Sequence, residues 1–194
     1  ASSRILVHRS RYNEVVDHMS QKYKDLIVRP AINDGALGPL ISERQKSIVE
    51  DFISKGQKLN LVAQGEIDSG APTKGHYVAP HLFADVPEDH ILAKDEIFGP
   101  VQVIMPFDTE EEAISIANGT DYGLVASIWT NDGARQMRLA KKLKSGQVFI
   151  NNYGAGGGVE LPFGGRGFSG HGREKGFEAL YGFSTLKTVA SYHQ

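Results

Sequence analysis

VQVIMPFDTEEEAISIANGTDYGLVASIWTNDGARQMRLAKKLKSGQVFI, residues 101–150, is the stretch that decides the fold class. Residues 101–105 form a near-continuous apolar run, the pattern of a strand buried on both faces. Thr109-x-x-Glu112 reads as a capping box. It opens a short helix through Ile114 and Ile116, which Gly119 stops. Residues 124–129 read as a second strand. A helix over about residues 132–144 follows, acidic at its start and lysine-rich at its end, as the helix dipole favours. Gly146 ends that helix, and residues 147–150 are a third strand. Strand, helix, strand, helix, strand is the pattern of an α/β fold with a mostly parallel sheet and flanking helices. Right-handed crossovers are expected to lay the three strands side by side.

Upstream, Ile5-Leu6-Val7 reads as the first strand. A helix follows from Ser10, with Tyr12, Val15, Val16, Met19 and Tyr23 at helical spacing. A second helix starts at Ser42, whose hydroxyl caps the first turn while Gln45, three residues on, is placed to cap back. Its apolar stripe is Ile48, Val49, Phe52 and Ile53. Residues 59–63 and 76–83 read as short strands, split by the turn-rich Asp68-Ser69-Gly70-Ala71-Pro72. Downstream, residues 154–172 form a long glycine-rich loop of the kind that is either functional or disordered. The apolar Leu161-Pro162-Phe163 in its middle argues for function. Residues 177–183 read as a short helix and residues 185–190 as a final strand. The first strand begins within a few residues of Ala1, which leads to the expectation of a domain cut from something larger.

The length of 194 residues suits one domain with at most an extension. A net charge of −2 provides no broad field to attract nucleic acid or an anionic membrane. No apolar run approaches the ~18 residues of a membrane-spanning helix. The chain has no cysteine, so disulfides, thiolate metal sites and a thiol nucleophile of its own are excluded. A cytoplasmic setting is the expectation.

Three constellations carry chemistry. In Glu96-Ile97-Phe98-Gly99-Pro100, just ahead of the buried strand, a carboxylate at a strand-edge loop can accept hydrogen bonds from vicinal hydroxyls such as a ribose. In extended chain Phe98 points to the same side and can back a flat ring. The plainer reading of the spacing is a polar loop with a core phenylalanine. Gly165-Arg166-Gly167-Phe168-Ser169-Gly170 matches a dinucleotide fingerprint by letter, but it neither follows a strand nor opens a helix, so its glycines read as sites of positive φ and close backbone approach. Glu174, beside Arg173, suits either a buried proton relay or a surface acid paired with Arg173 or Lys175. His76, His81 and His90 lie near Asp85, Glu88 and Asp89, yet no metal-ligand spacing appears, and no metal is expected. No serine nucleophile elbow is present.

Taken in order, these pieces resemble the aldehyde dehydrogenase family over nearly the whole chain. The resemblance is carried by residues 3–7, Gly38-Pro39-Leu40, Tyr77-Val78-Ala79-Pro80, residues 95–101, Tyr122-Gly123-Leu124, Pro162-Phe163-Gly164-Gly165, Ser169-Gly170, Gly172-Arg173-Glu174 and Lys187-Thr188-Val189. It implies a Rossmann-like catalytic domain over residues 1–183 and an oligomerisation segment over residues 184–194, whose strand crosses to a partner in a homodimer or homotetramer. It implies that Glu96 holds the nicotinamide ribose of NAD or NADP, that Phe98 borders that ribose and ring, and that Phe163 lines an aldehyde tunnel. By the same resemblance Glu174 matches a glutamate that relays protons, and the glycine-rich segment around Gly157 replaces bulky pocket residues, widening the substrate mouth. The nucleophilic cysteine is expected about two residues before Ala1, with the oxyanion-hole asparagine, the general base and most of the cofactor domain further upstream. One departure is Arg166-Gly167, where many relatives place a lysine at the second position.

The expectation is therefore part of an NAD(P)-dependent oxidoreductase that converts an aldehyde to a carboxylic acid, inactive as an isolated chain. The alternatives are a non-catalytic truncated relative serving assembly or regulation, and a free-standing nucleotide binder.

Overall fold

The computed structural model describes residues 3–154 and 158–193 and divides into two compact units, residues 1–120 and 121–194. The first unit starts with β1 (Arg4–His8), a 3-10 turn, and α1 (Tyr12–Lys24). After the two-residue β2 (Ile27–Val28) comes α2 (Glu43–Lys55), capped by the Ser42 hydroxyl, which accepts from the Gln45 N–H at 3.2 Å. Strands β3 (Asn60–Gln64), β4 (Glu66–Ile67) and β5 (His81–Ala84) lead to the single-turn α3 (Ile91–Lys94). The unit ends with β6 (Val101–Phe107) and α4 (Glu110–Asn118).

Its main sheet has the order β1-β6-β5-β3, parallel except for β3, which runs antiparallel to β5. β6 is central and buries both faces, as its apolar run requires. Val101, Val103 and Met105 join Val49, Phe52, Phe83 and Ile97 on one side, while Ile104 joins Val7, Tyr12, Ala63 and Leu82 on the other. Neighbouring residues Leu82 and Phe83 of β5 divide between the same two clusters, as the period-two alternation of a strand dictates.

The second unit holds β7 (Val125–Ile128), α5 (Gly133–Lys142), β8 (Gln147–Ile150) and the short α6 (Glu178–Gly182). β7 and β8 pair in parallel as a separate two-stranded sheet. The Asp132 carboxylate caps α5 by accepting from the Arg135 N–H at 3.0 Å.

Four expectations change. The strand after α4 does not join the sheet of β6, both of whose hydrogen-bonding edges are taken, one by β1 and one by β5. The expected strand over 76–83 shrinks to β5, since Pro80 has no N–H to give a ladder and its carbonyl is taken by the Gly65 N–H at 3.0 Å. Among the described residues, 185–190 form no strand and pair with none, and Leu186 and Val189 stand 103% and 82% exposed. The expected helix to residue 144 ends at Lys142, and Leu143 turns extended.

The capping boxes form only in part. The Thr109 hydroxyl accepts from the Glu112 N–H at 3.1 Å, but the Glu112 carboxylate reaches one residue further back, to the Asp108 N–H at 2.7 Å. The Gln45 side chain does not reach back at all.

Candidate functional site

The segment from Asp95 to Pro100 links α3 to β6. It is fixed at both ends: the Asp95 N–H donates to the Ile91 carbonyl at 2.9 Å, and the Pro100 carbonyl accepts from the His81 N–H at 2.8 Å. Between these anchors Ile97 is driven into the core, 2% exposed, where it packs among Val49, Phe83 and Val101. The neighbouring Phe98 is turned out, 71% exposed, with φ +52. The plain reading of Phe98 as a core residue is therefore overturned; Ile97 takes that place. The extended-chain argument that set Glu96 and Phe98 on one side also fails, because Phe98 is left-handed. That conformation is unusual for a bulky residue and persists only where surroundings enforce it.

The enforcement comes from α2. The carboxamide of Gln45 donates to the Ile97 carbonyl at 2.9 Å and to the Phe98 carbonyl at 3.2 Å. One turn along the same helix face, Val49 closes on Gly99, where an added Cβ would fall 2.5 Å from a Val49 methyl carbon. Glu96, half-buried, has no hydrogen bond or ion pair among the described residues, so its carboxylate is available as an acceptor.

In the second unit, Phe163 and Glu174 face each other across an isolated antiparallel bridge and exchange two backbone hydrogen bonds of 2.7 Å each. Phe163 is half-buried, and the Lys175 ammonium lies 5.6 Å from its ring centroid. Arg173 does not pair with Glu174; its guanidinium donates to the carbonyls of Gly165 and Gly172 at 3.1 and 2.6 Å. Glu174 is exposed, so the burial that would make it a desolvated relay is not supplied within the chain. Gly157 lies outside the described residues.

The segment from Gly165 to Gly170 folds back against residues 121–123 instead of opening a helix. Phe168 N–H donates to the Asp121 carbonyl at 2.8 Å, and the Ser169 hydroxyl accepts from the Gly123 N–H at 3.1 Å. Gly167, at φ +59, lies against the Asp121 carbonyl where a Cβ would sit. Close approach and positive φ are what these glycines supply.

The histidines are committed locally. His76 pairs with Glu43 at 3.1 Å, His81 contacts its own Ala79 carbonyl at 2.8 Å, and His90 caps α3. A cavity of about 520 Å³ in the first unit, lined by Arg9, Asp85, Glu88 and Met105, opens at the carboxyl ends of β1, β5 and β6. The Glu96 loop enters β6 at its amino end. Gln45 and Gln147 escaped the reading of the sequence as site-forming residues. Gln147, 9% exposed, donates to the Pro162 carbonyl at 3.3 Å, beside Phe163. A polar residue at the start of an apolar strand was the available signal for it; Gln45 was taken up by the capping pattern.

The sequence matches the aldehyde dehydrogenase family over residues 1–189. It is 35% identical to betaine aldehyde dehydrogenase of Rhizobium leguminosarum bv. trifolii over 96% of this chain and 39% of that protein. Among solved structures, a Burkholderia cenocepacia protein provisionally assigned as an aldehyde dehydrogenase is 56% identical, with a TM-score of 0.93 over 96% of this chain and 40% of that one. The NAD+ complex of an aldehyde dehydrogenase from Bacillus cereus is 40% identical, with a TM-score of 0.84 over 92% and 36% of the two chains. The chain thus spans about 39% of the length of the curated relatives it matches.

Proposed function

Because the chain belongs to the aldehyde dehydrogenase family, we propose that it forms part of an NAD(P)-dependent enzyme that oxidises an aldehyde to a carboxylic acid. The observation that carries this reading is a loop that holds Glu96, without a side-chain partner among the described residues, two positions before the outward, left-handed Phe98. A carboxylate free to accept two hydroxyl hydrogen bonds, next to an aromatic face held out of the core, fits the nicotinamide ribose and ring. When bound, the nicotinamide supplies the hydride acceptor. On the substrate side, Phe163 borders the aldehyde, and Glu174 moves a proton to or from the water that hydrolyses the acyl group. The covalent step calls for a thiolate, and no cysteine is among these 194 residues. The nucleophile, the general base and the bulk of the cofactor site belong to further chain, and the isolated 194 residues do not turn over. A cytoplasmic setting is part of the same proposal. Among the described residues no helix is long and apolar enough to cross a membrane.

A partner role is favoured by a separate observation. Leu186, Val189 and Tyr192 are all more than 80% exposed in a segment that forms no helix or strand among the described residues. We assign residues 184–194 to strand addition on a second copy, giving a homodimer or homotetramer. The same exposure supports the alternative of a non-catalytic assembly module.

One experiment separates the readings. NAD(P)H formation is followed with a panel of aldehydes, first for the isolated chain and then for a polypeptide extended to the length of the relatives. Turnover only in the longer protein, lowered by Glu96→Gln through a higher KM for the cofactor, supports the enzyme. Turnover by the isolated chain, or no turnover by either protein, overturns it.

A further inference from the structure

Lys175 stands between two backbone anchors. On one side Glu174 exchanges two hydrogen bonds of 2.7 Å with Phe163, and on the other the Gly176 N–H donates to the Val159 carbonyl at 2.9 Å. Between them Lys175 has φ +61, a left-handed conformation that is uncommon for a residue with a long side chain and persists where its neighbours enforce it. Pro162 closes in from the same strand, since a Cβ added at Gly176 would fall 3.0 Å from its ring. The backbone of residues 174–176 is thus fixed against residues 159–163, and with it the direction in which the lysine stem leaves. That stem carries the ammonium to 5.6 Å from the centroid of the half-buried Phe163 ring, within the range of a cation–π contact.

A ring with a cation held on its face is no longer a general apolar wall. The electron-rich face that would receive a quaternary ammonium is already taken, and a second cation arriving there meets the first at short range. Arg173 adds another positive charge on the same turn, its guanidinium donating to the Gly165 and Gly172 carbonyls at 3.1 and 2.6 Å. With the exposed Glu174 between them, the two cations leave this turn net positive. A carboxylate at the far end of an aldehyde gains from the same field. We propose that Lys175 is a specificity-determining residue: its ammonium on the Phe163 ring turns cationic aldehydes away and favours an aldehyde that ends in a carboxylate. This rests on the reading of Phe163 as a wall of the aldehyde site.

The test uses the extended, full-length enzyme and three aldehydes of like chain length: trimethylammoniobutanal, a fixed cation; succinic semialdehyde, a carboxylate; and butanal, which is neutral. The parent is expected to show a higher kcat/KM for succinic semialdehyde than for trimethylammoniobutanal. Lys175→Met keeps an unbranched stem without the charge. It is expected to shrink that preference by roughly tenfold, the effect of one unit charge across such a separation in a half-exposed site. KM rises for the carboxylate and falls for the cation, while butanal stays as in the parent. Lys175→Arg keeps the preference, Lys175→Glu reverses it, and added salt narrows it in the parent. A merely structural role for Lys175 would move all three aldehydes together. Equal shifts for the three, or a parent that prefers the cation, overturns the proposal, and a raised KM for butanal in Phe163→Ala then leaves the aldehyde-wall reading in place. If Phe163→Ala alters none of the three KM values, that reading fails and takes the proposal with it. Should Lys175→Met not fold, Lys175→Asn, whose short side chain tolerates the left-handed region, is read in the same assay against the same outcomes.

Discussion

Tyr12→Phe isolates a single buried hydroxyl. The Tyr12 ring is 7% exposed and packs with Val7, Ala63, Leu82 and Ile104, contacts that phenylalanine reproduces. Only the oxygen is lost. That oxygen donates to the Ile104 carbonyl at 3.2 Å and accepts from the Asp85 N–H at 2.7 Å. It thus joins the centre of β6 to the residue just after β5, and Asp85 itself stands at φ +55, a conformation needing external support. Leaving one buried N–H without its acceptor costs about 1–3 kcal/mol, and the carbonyl contact adds little beyond that range. For a chain of this length the loss corresponds to a fall in Tm of roughly 2–12 °C. Urea melts followed by circular dichroism give the change in stability at constant m, and hydrogen exchange of β5 and β6 amides assigns it to the first unit. A second signature comes from pH. Burial pushes the phenols of Tyr12 and Tyr23 up to about 12 from the ordinary 10. With folded pKa values above the unfolded ones, their stabilisation is complete below pH 10 and is lost as pH rises through about 12. Tyr12→Phe therefore narrows the alkaline loss of stability as well as lowering stability at neutral pH. A variant within about 0.5 kcal/mol of the parent at neutral pH, with an unchanged alkaline profile, would refute the assignment of this hydroxyl as a structural link.

Gly99→Ala places a Cβ 2.5 and 2.8 Å from the two Val49 methyl carbons, and the expected overpacking cost is about 1–3 kcal/mol, read by thermal melting. Pairing it with Val49→Ala should recover part of that loss. Arg4→Met removes two hydrogen bonds, of 2.7 and 2.8 Å, from the guanidinium to the Ile116 and Ala117 carbonyls at the end of α4. Burial lowers the Arg4 pKa; a guanidinium stays charged in proteins, and loss of this cap costs about 1.5–3 kcal/mol with faster exchange in the last turn of α4. Gly146→Ala drives a Cβ onto the Gly164 carbonyl, and it is expected to loosen residues 162–165 in hydrogen exchange while leaving β6 protected.

Features that depend on a few neighbouring residues were legible in the sequence. The hydroxyls of Ser42 and Thr109 cap their helices because the N–H groups they satisfy lie three residues away in both cases. β6 was legible because its apolar run leaves no polar face to expose. Sheet order was not, since which strand fills each edge of β6 depends on residues nearly 100 positions away, in β1. The left-handed turn at Phe98 was hidden for the same reason. Phenylalanine carries no local preference for positive φ, and the donor that stabilises it sits 53 residues upstream. Gln45 met a local pattern, the capping box, and that pattern concealed its long-range use. The glycines at 165 and 167 were read correctly because the context of a fingerprint, strand before and helix after, was missing.

Two kinds of exposed apolar residue now separate. Leu186 and Val189 are exposed in a segment whose backbone forms no strand pairing among the described residues. Phe98 is exposed on a backbone pinned from both sides, with Ile97 anchored in the core and Gln45 on its carbonyl. The energetic costs differ accordingly. A loose tail can bury its side chains as soon as another surface arrives, and the ordering cost falls at that moment. A strained, outward aromatic has its conformational cost already met by the fold, so whatever stacks on it loses little further freedom. The first arrangement suits a strand donated to another chain; the second suits a small rigid ligand that has to be met at a fixed angle. Exposure alone does not separate the two, and the hydrogen bonding of the backbone beneath it does.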